Sequence, residues 1–171
     1  MQRKALFLDR DGVVNVEKEY LYKIEDFEFI DGIFDLCHHY QDLGYLIFIV
    51  TNQSGIARGF YTEEEFTKLT QWMLEVFEQK GIKITKVYHC PHHPDLSGEC
   101  ACRKPKPGML REAVDEFDLD LQNSIMIGDK ERDIEAGQSA GLRETYFFDE
   151  SGKVQASKAT KIVKKLDEIW K

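Results

Sequence analysis

"ALFLDRDG", residues 5–12, decides the fold. Four apolar residues in unbroken succession, Ala5 to Leu8, run straight into two aspartates and a glycine. A strand with one wet face alternates apolar and polar residues, whereas unbroken apolarity marks a strand covered on both faces. The same pattern recurs as "YLIFIVT" (45–51), "KVYHC" (86–90), "SIMIGD" (124–129) and "TYFFD" (145–149). Helical patterns separate these runs. The alternation predicts an α/β fold with a central parallel sheet between two helical layers.

The clearest helix begins at Thr62, where Thr62 and Glu65 have capping-box spacing. Phe66, Leu69, Met73, Val76 and Phe77 follow at helical intervals, and Gly81 supplies the stop. Further helices are expected over 32–43, 108–117, 131–140 and 159–170, with the polar stretch 150–161 leading into the last as a loop. Cys37 falls within the first of these helices and reads as a small core residue.

A chain of 171 residues suits one domain, 1–171, with no linker or internal repeat to divide it. A net charge of −8 argues against a nucleic-acid surface, which needs a basic face. No apolar run approaches the roughly 20 residues that cross a bilayer, and Ala5 to Leu8 is too short for a secretory signal. The expectation is a cytoplasmic protein, and a monomer, since no apolar stripe is left over for an interface.

In an open parallel sheet, ligands bind beyond the carboxyl ends of the strands. Asp9 and Asp11 leave one strand tip on the same side, and Gly12 lets the chain turn sharply away. Two carboxylates so close repel each other. A cation relieves them, and Asp129, at the tip of another strand, would add a third hard oxygen for Mg²⁺. One carboxylate can attack phosphorus, splitting a difficult displacement into two easier ones, while the second moves the proton. Thr51 and Lys104 are candidates for stabilising the phosphoryl oxygens.

The stretch 90–108, "CPHHPDLSGECACRKPKPG", holds three of the four cysteines. Cys90, His92, Cys100 and Cys102 supply three thiolates and an imidazole, a complete tetrahedral shell for structural Zn²⁺, and His93 or His89 could replace His92. Four protein ligands leave no position for a catalytic water. Metal at Cys102 would fix the direction of Arg103 and Lys104, aiming two cations at the site from a zinc loop spanning about 89–107.

The order Asp9 and Asp11, Thr51, Lys104, Asp129 resembles the four motifs of the haloacid dehalogenase (HAD) superfamily of phosphohydrolases. The resemblance implies a Rossmannoid three-layer sandwich. It also implies Asp9 as nucleophile, Asp11 as acid and base, and Mg²⁺ on Asp9, the backbone carbonyl of Asp11 and Asp129. Asp133 would orient this site or lie on a solvated helix face. The zinc loop with "RKPKPGM" is similar to the histidinol-phosphatase subgroup, and "LFLDRDGVVN", "FEFIDGI", "VTNQSGIARG", "CPHHP", "CRKPKPGML" and "IGDKERD" extend the likeness to its sugar bisphosphate phosphatases. This implies removal of the 7-phosphate of a heptose 1,7-bisphosphate on the way to nucleotide-activated heptose for surface polysaccharide. Histidinol phosphate is the alternative, since the seven residues between His92 and Cys100 make a short zinc loop. Substrate contacts carried over from the resemblance fall on Glu17, Lys18, Glu19 and Tyr20, on Thr51, Asn52, Gln53 and Ser54, and on Arg103, Lys104 and Lys130. The roughly twenty residues between Asp11 and the first helix are too few for a separate cap domain, so the site should be open.

Overall fold

Six strands form one parallel sheet in the computed structural model, which describes Met1 to Lys171. In chain order they are β1 (Ala5–Leu8), β2 (Leu46–Asn52), β3 (Lys86–Cys90), β4 (Ile125–Gly128), β5 (Glu144–Phe148) and β6 (Lys161–Val163). Across the sheet the order is β3-β2-β1-β4-β5-β6. The chain thus builds outward from β1 through β2 to β3, then crosses back to lay β4 on the other side. That reversal opens a crevice at the carboxyl end of β1. Leu8 pairs with Ile49 on one side and Ile127 on the other, so Asp9, Thr51 and Asp129 leave adjacent strand ends together.

The unbroken apolarity of β1 has the expected cause. Leu6 and Leu8 enter one core with α1 (Ile33–Asp42) and α2 (Glu63–Gln79), through Leu36, Leu69, Met73 and Phe77. Ala5 and Phe7 enter the opposite core with α4 (Gly108–Phe117) and α5 (Glu131–Ala140), through Met109, Leu110, Ala113 and Ala136. Each large side chain so buried contributes about 1.5–3 kcal/mol, so a polar residue on either face of β1 would be costly. The capping box of α2 is made: the Glu65 amide donates to Thr62 Oγ1 at 3.1 Å, and the Thr62 amide to Glu65 Oε1 at 3.0 Å. A short helix, α3 (Pro94–Ser97), lies within the cysteine loop.

One expected element is different. In place of a helix over 159–170, Lys161–Val163 forms β6 and Leu166–Ile169 a single 3₁₀ turn. The "KIV" run pairs with β5, Phe148 opposite Val163, and covers an edge that would otherwise expose backbone donors and acceptors. The segment between β1 and α1 carries only a 3₁₀ turn, Ile24–Asp26, and is held down by buried Val13, Val14, Leu21, Phe27 and Ile30.

Candidate active site

β1 delivers Asp9 to the crevice, where its amide donates to Ile127 O at 3.1 Å and only 6% of the residue stays exposed. Gly12 follows with φ +96°, and a side chain there would strike the Asp129 carboxylate. Glycine is therefore required twice over, by backbone and by space. Carboxylate oxygens of Asp9, Asp129 and Asp133 lie within 4.8 Å of one another. Burial, then the charge of Asp133, pushes the Asp9 carboxyl well above its ordinary range; Lys104 opposes this, and Asp129 and Asp11 add to it. Asp129 is raised for the same leading reasons, burial and then Asp133. Asp129 Oδ1 is buried without a hydrogen-bond partner. Crowded hard oxygens, one of them orphaned, are a donor set that fits Mg²⁺.

Lys104 answers part of this charge. Its ammonium, 1% exposed, lies 2.6 Å from Asp133 Oδ1 and donates to Asp9 Oδ1 at 3.0 Å and to Val50 O at 2.8 Å. Asp133 is fully buried, so of its two sequence readings the solvated helix face does not hold. Its Oδ2 accepts the amides of Asp129 and Lys130 at 3.2 and 3.1 Å, fixing the chain that presents Asp129. Asn52 clamps the Lys104 backbone: its Oδ1 accepts the Lys104 amide at 3.0 Å and its Nδ2 donates to the Lys104 carbonyl at 3.2 Å.

Asp11 turns away from the three clustered carboxylates. Its oxygens accept from Arg10 Nη2 at 3.0 Å, Asn15 Nδ2 at 3.0 Å and Gln53 Nε2 at 3.0 Å. Arg10 has no role in the sequence reading. It is 1% exposed, reaches Leu21 O at 3.1 Å, and its guanidinium carbon lies 5.7 Å from the centre of the Phe66 ring. A buried cation between two aspartates in sequence is legible as a counter-charge only once the chain's path is known.

Asp9, Asp11 and Lys104 floor a cleft of about 310 Å³. Glu17, Glu19 and Tyr20 line one wall from the segment after β1, and Asn52, Gln53 and Ser54 another. Burial and the nearby Asp11 and Asp129 raise the Glu17 carboxyl, against Lys130 and Arg10. Lys18 does not line the cleft: its ammonium donates to Asp26 O at 2.8 Å. Thr51, 1% exposed, has its hydroxyl on Gln53 Nε2 at 2.9 Å. Lys130 sits on the far side of Asp129, 3.9 Å from Oδ2. Arg103 lines the cleft with Arg58 and Arg132, two residues the sequence reading passed over. Burial lowers the Arg103 pKa, and Arg132 and Arg58 lower it further by like charge.

The cysteine loop gathers the Sγ atoms of Cys90, Cys100 and Cys102 within 4.8 Å. Cys90 Sγ lies against both Cys102 Sγ and Cys100 Sγ, the latter at 3.5 Å. His92, expected as the fourth ligand, is not in this cluster. Its carbonyl instead accepts Arg103 Nη1 at 3.2 Å. Of the alternatives, His93 Nδ1 accepts the Asp95 amide at 3.2 Å, capping α3, and His89 Nε2 meets Glu63 at 2.8 Å. His92 is thus the histidine of the three whose ring is uncommitted.

Known proteins resemble this chain over most of its length. A HAD-hydrolase-like family model matches residues 101–169. The D-glycero-α-D-manno-heptose-1,7-bisphosphate 7-phosphatase of Campylobacter jejuni subsp. jejuni serotype O:2 is 58% identical over 153 residues, spanning 90% of this chain and 87% of that protein. This chain belongs to the heptose-1,7-bisphosphate 7-phosphatase family of HAD-like hydrolases. The β-anomer-named member from Pasteurella multocida is 41% identical over 179 residues, 99% of this chain and 97% of that protein. The crystal structure of D,D-heptose 1,7-bisphosphate phosphatase from B. bronchiseptica, complexed with magnesium and phosphate, superimposes with a TM-score of 0.84 at 28% identity, covering 97% of this chain and 95% of that one. Like the family, the chain is a phosphoric monoester hydrolase. No helix is long and apolar enough to cross a membrane.

Proposed function

We propose that this protein removes the 7-phosphate of D-glycero-D-manno-heptose 1,7-bisphosphate through a phosphoryl group carried transiently on Asp9. The observation that carries the reading is Asp9 at the carboxyl end of central strand β1, 3.0 Å from the Lys104 ammonium and crowded by the orphaned Asp129 oxygen. An Asp9 carboxylate oxygen attacks phosphorus as the bond to the sugar oxygen breaks, and Asp11 gives that oxygen its proton. Asp11 then takes a proton from the water that attacks the phosphoaspartate, releasing phosphate and restoring Asp9. Mg²⁺, held by Asp9, the Asp11 carbonyl and Asp129, would neutralise charge on the nucleophile and phosphoryl oxygens. Lys104 holds Asp9 in line and supplies a fixed positive charge for the transition state.

Arg58, Arg103 and Arg132 suit the second phosphate of the substrate, since guanidinium forks match phosphate oxygens and three like charges on one wall gain from an anion between them. This supports a bisphosphate over histidinol phosphate, as do the names of the relatives. Glu17 and Glu19 offer acceptors for the sugar hydroxyls. We read the cysteine cluster as a Zn²⁺ site completed by His92. Pairing two of the sulfurs would leave the third, within 4.8 Å of both, without a partner. Such thiolates stay reduced in the cytoplasm, where we place the protein. The exposed large apolar side chains are few, Met1, Leu43, Phe60 and Leu96, which suits a monomer.

The test is turnover of both anomers of the heptose bisphosphate beside histidinol phosphate, with mass spectrometry of acid-quenched enzyme. The expected result is a phosphoryl group on the peptide carrying Asp9 and preference for the bisphosphate. Phosphate on another side chain would overturn the mechanism; preference for histidinol phosphate would overturn the substrate.

A further inference from the structure

Tyr61 stands in the loop between β2 and α2, 4% exposed, and its hydroxyl donates to Gln53 Oε1. Gln53 is itself 3% exposed and spends its amide nitrogen on Asp11 Oδ2 at 3.0 Å and Thr51 Oγ1 at 2.9 Å. A primary amide has a donor end and an acceptor end, and rotating it by half a turn exchanges them. Turned around, Gln53 would point a carbonyl oxygen at the Asp11 carboxylate and leave Thr51 facing an acceptor. The Asp11 carboxylate disfavours that state, and the Tyr61 hydroxyl, by donating to the amide oxygen in its present place, adds to the preference. Burial raises the Tyr61 phenol above its ordinary range, so it remains a donor throughout the working pH; Arg10 opposes this and Asp11 reinforces it.

The ring of Tyr61 does separate work. It stacks on Tyr22 of the segment after β1, with centroids 5.5 Å apart, and covers Gly55, where any side chain would strike it. Ring and hydroxyl can therefore be tested independently.

We propose that Tyr61 is a positioning residue for proton transfer: through Gln53, its hydroxyl holds Asp11 in the orientation that protonates the departing sugar oxygen. The inference rests on the reading of Asp11 as proton donor given above. The fold and the Tyr22 stack use only the ring, so Tyr61→Phe removes the orienting donor and little else. The consequence depends on the leaving group. A sugar alkoxide cannot depart without a proton, whereas p-nitrophenolate can, and kcat/KM reports only steps up to the loss of that group.

The experiment compares kcat/KM for the heptose bisphosphate and for p-nitrophenyl phosphate in wild type, Tyr61→Phe and Asp11→Asn, with thermal unfolding to verify the fold. General acid catalysis contributes roughly 10²–10⁴-fold, and a disordered acid should forfeit about 10-fold of it. Tyr61→Phe is expected to lose that factor with the sugar and no more than about twofold with the aryl ester, the same selectivity that Asp11→Asn shows in larger measure. Equal losses on both substrates, or none on either, while Asp11→Asn remains selective, would overturn the role of Tyr61 alone. An Asp11→Asn protein without selectivity would overturn the acid assignment and this inference with it.

Discussion

The Lys104 ammonium lies 2.6 Å from Asp133 Oδ1, and neither side chain is more than 1% exposed. Asp133 anchors the cation with one oxygen and the chain bearing Asp129 with the other. Burial acts against the Lys104 charge, but Asp133 and Asp9 outweigh it and hold its pKa above the usual value. Lys104→Met would leave Asp9, Asp129 and Asp133 facing one another without that ammonium. Removing one partner of a buried pair costs about 3–5 kcal/mol, and removing a charge that serves the transition state costs about 10²-fold or more in kcat. Urea unfolding in EDTA measures the first and phosphate release the second; a mutant as stable as wild type would show that the cation does not hold this cluster.

Magnesium should change how stability depends on pH. Asp9 and Asp129 are raised in the folded protein, by burial first and by Asp133 next. A carboxyl raised on folding contributes stability that is complete below its unfolded pKa of about 4 and is lost as pH rises through its folded pKa. Without Mg²⁺, these two groups therefore favour the folded state more at pH 5 than at pH 8. Asp129→Asn should flatten that slope and raise the midpoint at pH 8. It should also abolish stabilisation by Mg²⁺, which for wild type at 100 times Kd amounts to about 2.7 kcal/mol. Thermal scans across pH in EDTA and in excess Mg²⁺ decide this, and a metal-induced shift that survives the substitution would displace Asp129 from the site.

The parallel sheet was legible because burial on both faces leaves runs such as "LIFIV" with no polar interruption. The strand-tip aspartates were legible because the apolar runs of β1 and β4 lead directly into Asp9 and, past Gly128, into Asp129. β6 was hidden: three residues among lysines acquire strand character only from the edge of β5. Arg58 and Arg132 were hidden for a related reason. Each lies on a different element, and only folding brings them beside Arg103. Gln53 was read as a substrate contact, yet its amide is committed to Asp11 and Thr51, a pairing across 42 residues for one of the two that no local pattern encodes.

The cysteine loop makes a prediction about aim rather than chemistry. Cys102 directly precedes Arg103 and Lys104, and Asn52 grips the Lys104 backbone from the sheet side. Cys100→Ser should lower bound zinc as read by elemental analysis, while Asn52 keeps Lys104 in register. The expected outcome is a KM for the bisphosphate raised about 10-fold through Arg103, with kcat changed by less than about threefold. Loss of kcat at constant KM would mean that the loop serves the reacting phosphate instead.

Arg132 separates recognition of the second phosphate from the chemistry. It lines the cleft with Arg58 and Arg103 but makes no hydrogen bond or ion pair with Asp9, Asp11 or Lys104, whose partners are other groups. If the three guanidiniums bind the phosphate that stays on the sugar, Arg132→Ala should raise KM for the bisphosphate about 10-fold, a charge-assisted pair being worth roughly 1.5–3 kcal/mol. A monophosphate ester lacks the group that Arg132 would hold, so its kcat/KM should move by less than about twofold, and the salt dependence of bisphosphate turnover should flatten. Equal losses on mono- and bisphosphate would instead place Arg132 on the reacting phosphate, because only that group is common to both substrates.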